Sequence, residues 1–187
     1  MSVDVFKPQL VSLLPELGYS GVEMLSRYLT TIAVQKGDII IKQGSSQKDV
    51  FFPMNGTFSV FEKLKINDTD VVLQTATFPG PSIIGEVSIL TETKRTASVI
   101  AMDAAECLIL RKDKIDALIM DYPVLVVELF KTFGSILYDR QTALKQKVWD
   151  IALKEGQNID DSLEKLSRYT GKATKVSAEF ASMLFED

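Results

Sequence analysis

Between about Ile32 and Arg111 the chain breaks into short β-branched and aromatic runs with glycines in the gaps, and that cadence limits the folds open to it. The runs are Asp38 to Lys42, Val50 to Pro53, Thr57 to Lys63 and Val71 to Thr77, followed by Thr96 to Met102 and Glu106 to Arg111. Gly37, Gly44, Gly56 and Gly80 fall in the gaps, where a tight reversal needs a residue that tolerates positive φ. Strands this short and this often turned build a small antiparallel β-barrel or jelly roll. Phe78-Pro79-Gly80-Pro81 then forms a rigid loop that delivers the chain to Ile83-Ile84-Gly85.

Helical texture flanks this region. Lys7 to about Thr31 reads as two helical pieces broken near Gly18, with Leu10, Leu13, Leu14 and Leu17 on one apolar face. Ser20 is the expected N-cap of the second piece, with Glu23 three residues on as its capping-box partner. Beyond Arg111, Lys112 to Met120 is a short helix stopped at Asp121-Tyr122-Pro123, because proline disfavours a helical residue before it. A long helix follows from about Val124 to Leu153, striped by Phe130, Phe133, Leu137, Leu144, Val148 and Ile151. The expected organisation is a helical segment at 1–31, a β-region at 32–111, C-terminal helices at 112–153 and a helix-prone tail at 154–187. The fold class is α+β.

The 187 residues suit one domain with appendages. A composition of 46% hydrophobic and 25% charged residues is that of an ordinary soluble globular protein. The net charge of −4 argues against a generally basic nucleic-acid binder. Cys107 is the only cysteine, which excludes an internal disulfide and suits a reducing compartment; it sits in a run that reads as a buried strand. No stretch approaches the roughly 18 apolar residues of a membrane span, and the start lacks the basic and apolar regions of a signal peptide. A cytoplasmic location is expected. With no histidine, a histidine triad, a histidine acid–base pair and most zinc sites are excluded. No catalytic set, metal site or cofactor is expected.

The candidate site lies in Gly85-Glu86-Val87-Ser88-Ile89-Leu90, a polar bend from Thr91 to Lys94, and Arg95-Thr96-Ala97-Ser98-Val99. Gly85 lets the backbone come close to a bulky group. A helical turn from Glu86 to Leu90 would expose the amides of its N-terminus to an anion, and Arg95 brings a planar fork that grips phosphate oxygens in two places. Glu86 repels a phosphate, and makes sense there as an acceptor from a sugar hydroxyl. The parts together suit a small ligand with both phosphate and ribose. The plainer alternatives are a surface arginine at a strand entry and an acid favoured by a helix dipole.

The segment resembles the phosphate-binding cassette of the cyclic nucleotide-binding domain family: Gly85-Glu86, an apolar turn, then Arg95-Thr96-Ala97-Ser98-Val99. The cadence Gly37-Asp38, Gln43-Gly44 and Asn55-Gly56 also follows the family's, so the likeness covers about residues 20 to 145. It implies an antiparallel β-roll flanked by N-terminal helices and by C-terminal lid or dimerisation helices. It implies a ligand, cAMP or cGMP, and no enzymatic activity. By the resemblance Arg95 and the amides around Gly85, Val87 and Ser88 hold the cyclic phosphate, Glu86 binds the ribose 2′-hydroxyl, and Ala97 and Ser98 line the pocket. A hydroxyl at Thr96 is the family's mark of tolerance for guanine, though channel-type members with Arg-Thr-Ala-Ser respond to the adenine nucleotide too. Thr96 also suits a strand by shape alone. Phe58, Val60, Val72 and Leu73 are candidates for an apolar wall or for plain core.

The long helix, with Phe130, Phe133, Tyr138 and Trp149, reads as a lid on the base, a dimer seam interrupted at Arg140-Gln141, or a cover for the β-region. A homodimer is the expected assembly, with a downstream protein partner that the sequence does not name. The tail mixes Lys154, Lys165, Arg168, Lys172 and Lys175 with Glu155, Asp160, Asp161 and Glu164, the pattern of a solvated face more than of a phosphate-tracking stripe. It is shorter than the helix-turn-helix domain of transcription-factor relatives. The leading expectation is therefore a cyclic nucleotide sensor. The alternatives are a ligand-free docking module of the same fold and a transcription regulator with a shortened DNA-binding region.

Overall fold

The computed structural model describes residues 2–66 and 69–155, and the helix-prone tail expected from Asn158 onward lies outside them. The chain divides into two compact units, Met1–Ser135 and Ile136–Asp187. Among the described residues no helix is long and apolar enough to cross a membrane.

The first unit begins with a 3-10 turn at Val3–Phe6, helix α1 at Lys7–Leu13, a second 3-10 turn at Pro15–Leu17 and helix α2 at Gly18–Ser26. Leu10, Leu14, Leu17, Val22 and Leu25 are buried, so three of the four leucines read as the apolar face are packed and Leu13 is only half-buried. Two expectations fail here. Ser20 does not cap α2, because the 3-10 turn runs straight into the helix at Gly18 and leaves Ser20 inside it. Glu23 instead takes the Lys7 ammonium. Helix also does not persist to Thr31: α2 ends at Ser26, and strand β1 occupies Leu29–Val34. β1 pairs antiparallel with a strand some 75 positions on, from Leu29 opposite Leu110 to Val34 opposite Ala105. The branched Thr30, Thr31 and Ile32 suit that pleat and resist a helix.

The remaining strands are β2 (Ile39–Ile41), β3 (Val50–Pro53), β4 (Thr57–Ile66), β5 (Thr69–Pro79), β6 (Ser98–Ala101) and β7 (Ala105–Leu110). They form a three-stranded sheet ordered β1-β7-β3 and a four-stranded sheet ordered β2-β6-β4-β5. The barrel expected from the turn cadence is corrected: this is a β-roll whose two sheets are not closed into a barrel. The two sheets end in separate edges, β1 and β3 in one and β2 and β5 in the other, with no ladder joining them among the described residues.

The core sits between the sheets. Val34, Ile41, Phe51, Phe58, Ile84, Val99, Ala101, Ala105, Cys107 and Ile109 form one buried cluster. Phe58 stacks on Phe78, ring centroids 5.7 Å apart. In β3 and β7 the alternate residues Val50, Phe52, Leu108 and Leu110 are buried too, so these two strands are covered on both faces, as their near-continuous apolar runs require. By contrast, Val72 to Thr77 of β5 are all exposed.

Helix α3 spans Glu86–Thr91 between β5 and β6, and α4 spans Lys112–Asp121. Tyr122 breaks the pattern ahead of Pro123, which opens α5 at Pro123–Glu155; a proline is tolerated there because the first amides of a helix have no intrahelical acceptor. Val126, Leu129 and Phe133 of the first unit's share of α5 are buried. In the second unit, whose described part is Ile136–Glu155, every residue from Tyr138 to Asp150 is exposed.

Candidate functional site

The loop after β5 brings Ile84 against Phe51, where the two exchange backbone hydrogen bonds of 2.9 and 3.0 Å. That bridge fixes the next residue, Gly85, beside the start of β3. Gly85 has φ of 88°, and a Cβ built on it would stand 2.7 Å from Arg95 Nη1 and 2.8 Å from the Asp49 carbonyl oxygen. Both the left-handed backbone and the crowding demand glycine. Gly85 is the N-cap of α3 and supplies no side-chain cap to it.

Arg95 returns to that helix start. Its Nη1 donates to the Gly85 carbonyl (2.8 Å) and to Ser88 Oγ (2.7 Å), and its Nη2 donates to the Asp49 carbonyl. Ser88 Oγ in turn donates to the Gly85 carbonyl at 3.3 Å. Three of the five N–H donors of the guanidinium thus have protein acceptors. Arg95 is 5% exposed and Glu86 is 0% exposed. Burial pulls the Arg95 pKa down, and the charges of Asp49 and Glu86 oppose that shift. Removing one ion from water costs several kcal/mol, on the order of what a buried pair must recover. A cation and a carboxylate held in this position are therefore an expense that packing alone does not explain.

The other expected site residues are spread around these two. Ser88 is buried; Val87, Ala97 and Ser98 are half-buried. The Ser98 hydroxyl accepts from the Gln43 amide at 3.0 Å. Thr96 is exposed and lies outside β6, which starts at Ser98 and not at Thr96 as read from the sequence. Strand propensity therefore does not account for its hydroxyl. Among the wall candidates, Phe58 and Val60 belong to the inter-sheet core, while Val72 and Leu73 are 64% and 41% exposed. On α5, Phe130 stacks on Phe133, and Tyr138 and Trp149 are exposed.

Sequence reasoning missed the segment from Gln43 to Asp49, which backs the cassette. Gly44 donates its amide to the Arg95 carbonyl and Arg95 donates its amide to the Ser45 carbonyl, both at 2.8 Å. Asp49 faces two ways. Its carbonyl takes Arg95, and its Oδ1 accepts from the amide of Lys112, the first residue of α4, at 2.9 Å. These bonds join positions about 50 residues apart, and a local pattern carries no trace of them. Cys107 is buried, with its thiol pushed up to about 12 by burial, so it offers no thiolate. Among the described residues no group of three or more Cys, Asp or Glu side chains is placed to hold a metal ion.

The model of the cyclic nucleotide-binding domain family matches residues 31–122. The potassium/sodium hyperpolarization-activated cyclic nucleotide-gated channel 2 of Mus musculus is 26% identical over 146 residues, covering 74% of this chain and 15% of the channel. A cyclic nucleotide-binding domain from Methylobacillus flagellatus superposes with a TM-score of 0.64 at 18% identity, covering 82% of this chain and 87% of that one. The catabolite activator protein of Thermus thermophilus gives 0.58 at 23% identity, covering 75% and 64%. Such structural likenesses show the fold, and the family match rests on residues that include both sheets and the Gly85–Arg95 site. Residues 31–122 are a member of the cyclic nucleotide-binding domain family.

Proposed function

We propose that this chain is a sensor that binds cAMP or cGMP reversibly, catalyses nothing, and reports occupancy through its C-terminal helices. The observation that carries the reading is the joint burial of Glu86 and Arg95 at the start of α3. Arg95 is the group for the cyclic phosphate and Glu86 the group for the ribose hydroxyl. Gly85, Val87 and Ser88 frame the phosphate, and Thr96, Ala97 and Ser98 border the base. Asp49 supports the reporting step, because it touches Arg95 with its carbonyl and the start of α4 with its carboxylate. A ligand that draws Arg95 away perturbs both, and it shifts the helices only so far as it binds one arrangement better.

The assembly belongs to the same proposal. Leu144, Val148 and Trp149 are 62%, 36% and 43% exposed, large apolar side chains of the kind that association covers. A homodimer through α5 would cover them, and sedimentation over a range of concentrations tests it. A sensor of this kind would work in the cytoplasm, where such nucleotides are made and destroyed.

Calorimetric titration with cAMP and with cGMP decides the main reading. Binding of either supports it, and failure of both at high micromolar concentration overturns it. One observation favours a second reading, a docking module without a ligand: the Arg95 fork already has protein acceptors for three donors. The same titration separates the two.

A further inference from the structure

Lys48 lies in the loop between β2 and β3, and its side chain is only 15% exposed although it carries a charge. Its ammonium donates to the Ser88 carbonyl at 2.8 Å and to the Thr93 carbonyl at 2.7 Å, and stands 3.7 Å from the Glu92 carboxylate. Ser88 is in α3, while Thr93 lies beyond it, two positions before Arg95. The chain between them turns back through Glu92, whose φ is 56°, and Thr91 Oγ1 donates to the Val87 carbonyl at 2.7 Å.

A helix of six residues cannot hold itself together in water, and its last carbonyls have no intrahelical donor. Lys48 supplies a donor and places a positive charge at the end where the helix dipole favours one. It also ties the helix to the bend that follows, so one ammonium fixes the path between Glu86 and Arg95. The neighbouring residue, Asp49, holds Arg95 itself. The dipeptide Lys48-Asp49 thus anchors both limbs of the cassette from outside.

We infer that Lys48 is a positioning residue for the ligand site: it touches no ligand, and it sets the separation of Glu86 and Arg95 that a nucleotide needs. This rests on the reading that the site takes a cyclic nucleotide. Without the clamp, the segment must be ordered at the moment of binding, and that ordering subtracts from affinity. Losing hydrogen bonds from a charged donor suggests a weakening of about tenfold for Lys48→Met. Lys48→Arg keeps the charge and the donors and should bind within about threefold of the wild type.

The test is calorimetric titration of cAMP and cGMP into the full chain and the two variants, with denaturant unfolding of each. The expected result is a raised Kd for Lys48→Met with undiminished stoichiometry, and recovery in Lys48→Arg. A role confined to folding would lower the unfolding midpoint and the number of titratable sites and leave the Kd of the folded fraction unchanged; that result overturns the inference. If Lys48→Met does not fold, Lys48→Gln takes its place with the same expected and overturning results. A wild-type chain that binds neither nucleotide overturns the functional reading and this inference with it, whereas a binding wild type with an equally tight Lys48→Met overturns the inference alone.

Discussion

The cluster between the two sheets and the group Glu86, Ser88 and Arg95 are both buried, yet they are held in opposite ways. The cluster is apolar throughout, from Val34 and Phe58 to Cys107 and Ile109. Its stability comes from area removed from water, roughly 1.5–3 kcal/mol for each large side chain. The cassette buries Glu86, Ser88 and Arg95 and relies on directed bonds to backbone carbonyls. The first region makes the fold and tolerates other side chains of the right volume. The second draws on that stability to keep two charges buried at the start of α3.

The comparison implies that damage to the first region appears as unfolding and damage to the second as lost binding. Phe58→Ala removes a fully buried ring and should cost about 3–5 kcal/mol by denaturant unfolding, with Kd unchanged for whatever remains folded. A cost under about 1 kcal/mol would break the distinction. Arg95→Ala should weaken cAMP or cGMP about 100-fold by calorimetry, and the carbonyls it leaves behind should cost about 1–3 kcal/mol of stability. If its stability loss exceeds that of Phe58→Ala while binding survives, Arg95 is a structural group and the comparison inverts. Gly85→Ala meets Arg95 Nη1 and the Asp49 carbonyl at under 3 Å, so it should show both symptoms, with about 1–3 kcal/mol of strain and weakened binding.

Smaller effects sharpen the picture. Thr96 is exposed, so Thr96→Ala should leave unfolding unchanged and weaken cGMP by about fivefold while sparing cAMP. Equal loss for both nucleotides would remove Thr96 from base selection. Cys107 has its thiol pushed up from 9.0 to about 12 by burial. Its neutral form is the one the fold favours, so this contribution is complete below pH 9 and is lost as pH rises from 9 towards 12. A thiol reagent near pH 8 should label Cys107 only as fast as the chain opens; rapid labelling of native protein would show that the core is less closed than its apolar lining requires.

Much of the architecture was legible in the sequence because it is written in local patterns. Val50–Pro53 was bounded at the observed residues, since turn residues stand on either side, and α5 was found to within two residues of each end. Gly85, Glu86, Ser88 and Arg95 were singled out together because their spacing is a local property, and the structure brings them together at the start of α3. Apart from the Ser20 cap, displaced by the adjoining 3-10 turn, the failures are cases where a distant partner decides. Leu29 to Thr31 could have continued a helix until β7 offered a ladder. The turn cadence predicted strands and reversals, but which sheet edges pair is settled by long-range packing, and the sheets remain open. Phe58 and Val72 looked alike as wall candidates until the register put one in the core and the other in solvent. Lys48 and Asp49 were invisible because their partners, the Ser88 carbonyl and the Arg95 guanidinium, lie 40 and 46 residues away.

The guanidinium of Arg95 stands 2.7 Å from where a side chain at position 85 would begin, too close for both to be accommodated. Arginine and glycine therefore share a single volume, and neither can be altered as if the other were absent. In a double-mutant cycle, Gly85→Ala should cost less in an Arg95→Ala background than in the native chain, because one of its colliding neighbours is gone. The left-handed backbone and the Asp49 carbonyl remain, so the relief is partial. Over evolutionary time the pair forms a ratchet: a lineage that surrenders the arginine first loosens the demand for the glycine, and once a side chain has grown into the vacated space, restoring the arginine alone no longer restores the site.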